Sequence, residues 1–228
     1  VVARDVVGNE AARRFDVRVK DRRFPTTDIN LSGRFLDNVA SEFGDGSDRI
    51  TTFRRANEDL RSGSEKVIRD AIPAPTPKQF RADFDQMYNS RVTSQFAELR
   101  HYQHGGKRVS EARHYGYNLA STRNAPITAS NAGTVLFAGD NGIYGQLVIL
   151  DHGLGLTTLY GHLSSIGVAV GDPVMKGAEL GRSGATGLAG GDHLHFAILV
   201  GHTYVDPVEW WDPKWVREHI EVRLEPAE

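Results

Sequence analysis

The residues best placed to do chemistry in this sequence are histidines. Nine are present, and four of them stand in three short settings of small and aromatic residues: Arg113-His-Tyr-Gly-Tyr-Asn-Leu-Ala120, Thr158-Leu-Tyr-Gly-His-Leu-Ser164 and Gly190-Gly-Asp-His-Leu-His-Phe196. His193 and His195 are two apart. On a strand they share one face and open both rings to one pocket, while Leu194 and Phe196 turn to the core. Two imidazoles on one face form a metal site, or a metal ligand beside a base. His114 and Asn118 are four apart, a spacing that a turn or irregular strand brings together.

Hydrolysis of an amide at zinc asks for three protein ligands and one open position. It also asks for a base to take the proton of water and a donor to hold the developing oxyanion. Four histidines and a short polar side chain cover those roles. A serine-based alternative is less economical, because Ser121 and Ser183 lack the strained turn of a nucleophile elbow. The glycine-rich stretches Gly181-Arg-Ser-Gly184 and Gly187-Leu-Ala-Gly-Gly191 lack the Lys-Ser/Thr and strand–helix setting of a phosphate loop, and read as turns.

The elements that must carry these side chains fall in two textures. From about His101 onward, short apolar runs alternate with glycine turns, and most of the 24 glycines lie there. Strands are expected at Gly133 to Ala138, Gly145 to Asp151, Thr157 to His162, Val168 to Val170 and Leu194 to Leu199. That pattern predicts a mostly β module, an antiparallel sheet or sandwich. Before it, Val2 and Val7 around Gly8-Asn9 suggest a hairpin. Phe15, Val17 and Val19 alternate with charged residues as in a half-buried strand. Phe35, Leu36, Val39 and Phe43 mark a helix ended by Gly44. Thr51 or Thr52 is expected to cap a second helix, and Ser64 a third. Pro73 to Pro77 reads as a stiff connector.

Composition excludes several functions. Hydrophobic residues at 39% and charged residues at 25% are those of an ordinary globular protein. A net charge of −2 gives no overall basic surface for nucleic acid, and the absence of cysteine excludes disulfides and thiolate catalysis. No apolar run approaches the roughly 18 residues that cross a bilayer. The start on Val1-Val2 reads as that of a soluble piece of a longer protein.

The segment from about Arg113 to Pro207 resembles the LytM or lysostaphin-type zinc metallopeptidases, family M23. The resemblance rests on HYGYNLAS, APITASNAGTVLFAG, YGQLVILDHGLGLTTLYGHLSSI, VGDPVMKGAELGRSGATG and GGDHLHFAILVG with VDP after it, in that order. It implies an antiparallel catalytic module over 113–211. A mixed β/α envelope domain precedes it over 1–85, 86–112 is a connector packing on the module, and 212–228 is a tail. It implies a Zn²⁺ site of His114, His195 and position 118, with His162 and His193 flanking the catalytic water, one as base and one as oxyanion donor. In the family, position 118 is aspartate. Asn118 keeps the shape and the carbonyl oxygen but brings no charge, so a weaker metal site is expected.

The implied function is a zinc endopeptidase acting on bacterial peptidoglycan peptides, weakened by Asn118. The alternative is an inactive module that binds peptidoglycan, or that activates or scaffolds a cell-wall hydrolase. The implied setting is the cell envelope, on the periplasmic side, anchored to the inner membrane through a removed N-terminal segment, with an envelope protein as a further partner and no nucleic acid. Other residues have plainer readings. His152 reads as a turn or supporting residue, and His101, His104, His202 and His219 as local structure. Tyr160 packs beside the site, and Tyr115 lines the groove. Trp210, Trp211 and Trp215 anchor the C-terminal tail. Asp206-Pro207 reads as a closing turn. Arg100 or Arg113 is a candidate to hold a substrate carboxylate.

Overall fold

The computed structural model describes residues 2–4, 7–12, 20–76 and 83–222. The expected strand through Phe15, Val17 and Val19 lies outside them.

The chain is mostly β, as its strand and glycine pattern implies. One antiparallel sheet dominates. Its order runs Pro173–Val174, Gly133–Asp140, Gln146–Asp151, Leu156–Leu163, Leu194–Val200, Tyr117–Ala120, Arg91–Ser94, with Thr203–Val205 sharing an edge of Leu194–Val200. The stretch expected as a strand at Val168 to Val170 is a turn between Ser165–Ile166 and Pro173–Val174. Its backbone is spent on local bonds, Gly167 to the Leu180 carbonyl and Ala169 to the Asp172 side chain.

The central strands are buried on both faces. Val148 and Leu150 join Tyr160, Leu194, Phe196 and Ile198 in one core, while Leu147 and Ile149 join Leu159, Ala197 and Leu199 in another. An unbroken run, Leu147-Val-Ile-Leu150, is what a strand covered on both sides requires. The second core is closed by Ile68 and Ile72, at the end of the helix Arg61–Ala71. A residue from the N-terminal half therefore completes the back of the sheet that carries the histidines.

That helix is longer than the sequence pattern suggests. Asp48 caps it, accepting from the Ile50 and Thr51 amides, in place of the expected Thr51 or Thr52. Arg49–Arg55 continues through a wide turn, Ala56–Leu60, into Arg61–Ala71 without a break. Ser64 is thus interior and buried, not a cap. Its hydroxyl donates to the Asn141 carbonyl at 3.0 Å and accepts from the Ile143 amide at 3.2 Å. Helix Gly33–Phe43, capped by Ser32 and ended at Gly44 as expected, packs on the long helix around Leu36, Val39 and Phe53.

A second sheet joins the two halves. Thr26–Asn30 runs parallel to Leu99–His104, which pairs antiparallel with Lys107–Arg113. The last strand delivers the chain directly to His114. The expected hairpin at Gly8-Asn9 is present, Val2–Arg4 against Glu10–Ala12. At the C-terminus Asp206 is a helix cap for Pro207–Trp210, and Trp210 meets Phe84 edge to face at 5.8 Å.

Because Ile68 is fully enclosed by the second core, Ile68→Ala is expected to lower unfolding stability by about 2–5 kcal/mol. Urea denaturation followed by tryptophan fluorescence should show one cooperative transition at lower urea. A loss below about 1 kcal/mol would mean that the helix is dispensable to the sheet.

Candidate active site

The site begins with strand register. His195 and Asn118 are directly opposite on the antiparallel pair Leu194–Val200 and Tyr117–Ala120. Cross-strand partners hold their side chains side by side, and Asn118 Oδ1 lies 3.2 Å from His195 Nδ1. His114 enters from just beyond the strand Lys107–Arg113, its backbone bonded to Ala97 and Glu98. Its Nε2 is 2.9 Å from Asn118 Oδ1 and 3.1 Å from His195 Nδ1. Gly116 lets these residues meet. A Cβ there would stand 2.4 Å from the Phe196 carbonyl and 2.9 Å from the His195 ring.

His162 reaches the same place through a distortion. The pairing of Gln146–Asp151 with Leu156–Leu163 shifts between Gln146 and Val148, setting Gly161 and His162 against one partner residue. His162 itself has φ 63°. A bulge with a left-handed residue re-aims a side chain, and such backbone cost is sustained where the surroundings enforce it. The His162 ring lies 4.8 Å from that of His193 and 5.9 Å from that of His195.

The rings are oriented by backbone carbonyls. Nδ1 of His114 donates to Gln95 O at 2.9 Å, that of His162 to Thr186 O at 2.9 Å, and that of His193 to Gly191 O at 2.7 Å. A neutral ring that donates from Nδ1 offers a lone pair at Nε2. The charge states follow. Burial, with help from the Arg100 charge, pushes His114 down to about 3. Burial also holds His162 and His195 well below the ordinary imidazole value and lowers His193. All four are neutral near pH 7.

Zinc was tested against these donors. Tetrahedral zinc with Zn–N of about 2.0–2.1 Å separates its donors by about 3.3 Å. The edges of the His114–Asn118–His195 triangle are 2.9, 3.1 and 3.2 Å. With Oδ1 inward, two acceptors, Oδ1 and His114 Nε2, face each other at 2.9 Å, an arrangement that a cation relieves. The donor set fits the metal. Among the described residues no three His, Cys, Asp or Glu side chains do so, because the third corner is an amide. That amide has a second use that a carboxylate lacks: turned over, its NH₂ donates to both ring nitrogens.

Other residues take the following places. His152 is fully buried away from the triangle, bonded to the Ala132 carbonyl and the Thr158 hydroxyl. Tyr160 is a core residue rather than a wall of the site, packed on Phe196 with its oxygen accepting from the Ser130 amide. Tyr115 lines the cavity and stacks on Tyr204 at 5.0 Å. Arg100 lines the cavity, whereas Arg113 bonds the Ala97 carbonyl. Ser183 is buried and donates to Asp192 at 2.5 Å, which fixes the loop before His193. His101 pairs with Asp28, and His219 stacks on Trp215.

Sequence reasoning did not find Arg61, Tyr144 or Glu65. Tyr144 packs on the His195 ring at 5.3 Å and donates to Glu65 at 2.5 Å. Both Arg61 and Glu65 sit on the helix Arg61–Ala71, and no local spacing ties that helix to the histidine motifs.

A pH dependence follows from the neutral rings. The folded pKa of His114 lies below its unfolded value, so the unfolded chain takes up the proton first as pH falls. Stability is therefore full above about 6.5 and is lost between about 6.5 and 3, at roughly 1.4 kcal/mol per pH unit for this histidine. Chelator-treated protein melted across pH 8 to 4 should show that steady decline; a flat profile to pH 4 would contradict buried neutral rings.

Comparison with known proteins agrees with this geometry. Residues 112–207 match peptidase family M23. A DD-carboxypeptidase/endopeptidase, Mpg of Neisseria meningitidis, is 38% identical over 95 residues, 42% of this chain and 22% of that protein. The match spans about a fifth of that curated relative's length. A Pseudomonas aeruginosa structure described as an M23 peptidase aligns with TM-score 0.57 at 28% identity, covering 68% of this chain and 62% of that one. A zinc-containing peptidase of Vibrio cholerae aligns with TM-score 0.50 at 30% identity, covering 56% of this chain and 40% of that one. The histidine-bearing sheet of this chain, residues 112–207, is a peptidase family M23 domain.

Proposed function

We propose that this chain is a zinc-dependent hydrolase of peptide bonds in bacterial peptidoglycan, working at the cell envelope on its periplasmic side. The observation that carries the reading is the triangle of His114 Nε2, Asn118 Oδ1 and His195 Nδ1, with His162 and His193 beside it. The names of the curated relatives supply the substrate class.

His114, Asn118 and His195 would hold the metal. Bound zinc supplies Lewis acidity, making water more acidic and polarising the peptide carbonyl. The rest is done by side chains. His162 and His193 each keep Nδ1 on a backbone carbonyl, so each presents Nε2 to the cavity. One neutral ring takes the proton of the attacking water and passes it to the leaving amine. The other, once protonated, donates to the oxyanion. Because both rings are pinned, little orientation is left to fix during reaction. Asn118 leaves the ligand set uncharged, which weakens zinc retention relative to a carboxylate. An attachment of the longer protein to the inner membrane by a segment preceding this one fits the same reading.

Zinc content measured by plasma emission, after purification without chelator, should approach one per chain and vanish in His114→Ala. Asn118→Asp should tighten zinc by about tenfold or more, close to 1.4 kcal/mol. Zinc absent from both forms would overturn the metal assignment. His162→Ala and His193→Ala should keep zinc yet lose roughly 10²–10⁴-fold in peptidoglycan digestion. Undiminished digestion in both would remove these residues from the chemistry.

A further inference from the structure

The charges around the cavity point to a more specific substrate. The cavity that holds the histidines has a volume of about 370 Å³ and no Asp or Glu in its lining, yet two arginines line it, Arg61 and Arg100. Arg100 comes from the strand Leu99–His104. Its Nε is held by Glu98 at 3.0 Å and its Nη2 donates to Ser94 at 2.5 Å. Arg61 comes from the long helix. Its Nε and Nη2 donate to Asn57, at 3.0 Å to the carbonyl and 2.8 Å to Oδ1. Among the described residues Arg61 has no carboxylate partner, and neither arginine has a bond from Nη1.

Nearby walls are apolar, with Leu31, Phe35, Phe53 and Leu188. A half-buried guanidinium without a counter-charge beside such walls carries a desolvation cost that an anion offsets. The ligand set of the metal triangle is neutral as well, so nothing in the cavity competes for an anion. Arginine forks match a carboxylate by two parallel hydrogen bonds. A volume near the lower end of the roughly 300–1,000 Å³ typical of ligand sites suits the end of a short peptide. A peptide running through from side to side has no carboxylate to offer there.

We propose that Arg61 and Arg100 receive the free C-terminal carboxylate of the substrate peptide, so that this chain trims peptides from their ends. The chemical step rests on the hydrolase reading above; the recognition step does not. In that step water adds across the last or next-to-last amide. Its oxygen bonds the carbonyl carbon, the C–N bond breaks, and the proton goes to the departing amine. The released fragment keeps its carboxylate on the arginines until it leaves.

Calorimetric titration of the zinc-loaded protein with N-acetyl-D-alanyl-D-alanine and with its C-terminal amide tests this. The free acid should bind roughly 10- to 100-fold more tightly than the amide. Arg61→Gln should erase that preference without loss of zinc, since Arg61 has no recorded bond to the metal triangle. Arg100→Lys should keep part of the preference and Arg100→Gln should not. Equal affinity for acid and amide, no detectable binding of either, or an undiminished preference in both glutamine variants would overturn the proposal. A preferred acid that is bound but never cut would sink the hydrolase reading and leave the carboxylate site standing. Hydrolysis of acid and amide at equal rates would do the reverse.

Discussion

Everything at this site depends on one cross-strand contact, that of His195 with Asn118. Side chains on paired strands alternate with period two, so a slip of one residue would turn both away from the cavity. Register is therefore fixed by what lies behind the pair. Leu194 and Phe196 enter the first core from the same strand, opposite Leu119 and Tyr117. The apolar pattern and the polar pair are two faces of one constraint. Gly116 is the third part of it. Any side chain there would meet the Phe196 carbonyl and push His114 and Asn118 away from His195.

Covering the sheet on both sides sets the electrostatics. The helix Arg61–Ala71 closes the rear face with Ile68, and its Glu65 ties Tyr144 and Tyr204, which wall His195 and Tyr115. Burial keeps the imidazoles neutral, and neutral rings can serve as ligands or bases. The same burial strengthens the pull of any charge brought into the cavity. With no acidic residue in the lining, the site favours cations only at the triangle and anions only at the arginines.

Much of this was legible from residues alone. His193-Leu-His195 declared a strand face, and the run Leu147 to Leu150 declared a strand covered on both sides. The glycine turns around them declared the antiparallel module. What was not legible came from contacts distant in sequence. Ser64 looks like a cap beside its neighbours, yet it is needed 77 residues away at Asn141. Asp48 outcompetes Thr51 as a cap because its carboxylate reaches two amides and the Thr51 hydroxyl together. His162 reads as an ordinary strand residue, and only the bulge at Gly161 shows why its ring turns inward. Arg61 sits mid-helix among charged residues, and nothing local separates it from a solvated one.

The account stands or falls on an ion held by two imidazoles and an amide. Zinc K-edge absorption on the zinc-loaded protein tests that most directly. It should show two imidazole rings per zinc, falling to one in His114→Ala and in His195→Ala. A spectrum without imidazole scattering, or one unchanged in both variants, would place the metal elsewhere and leave Asn118 as a hydrogen-bond donor to two histidines.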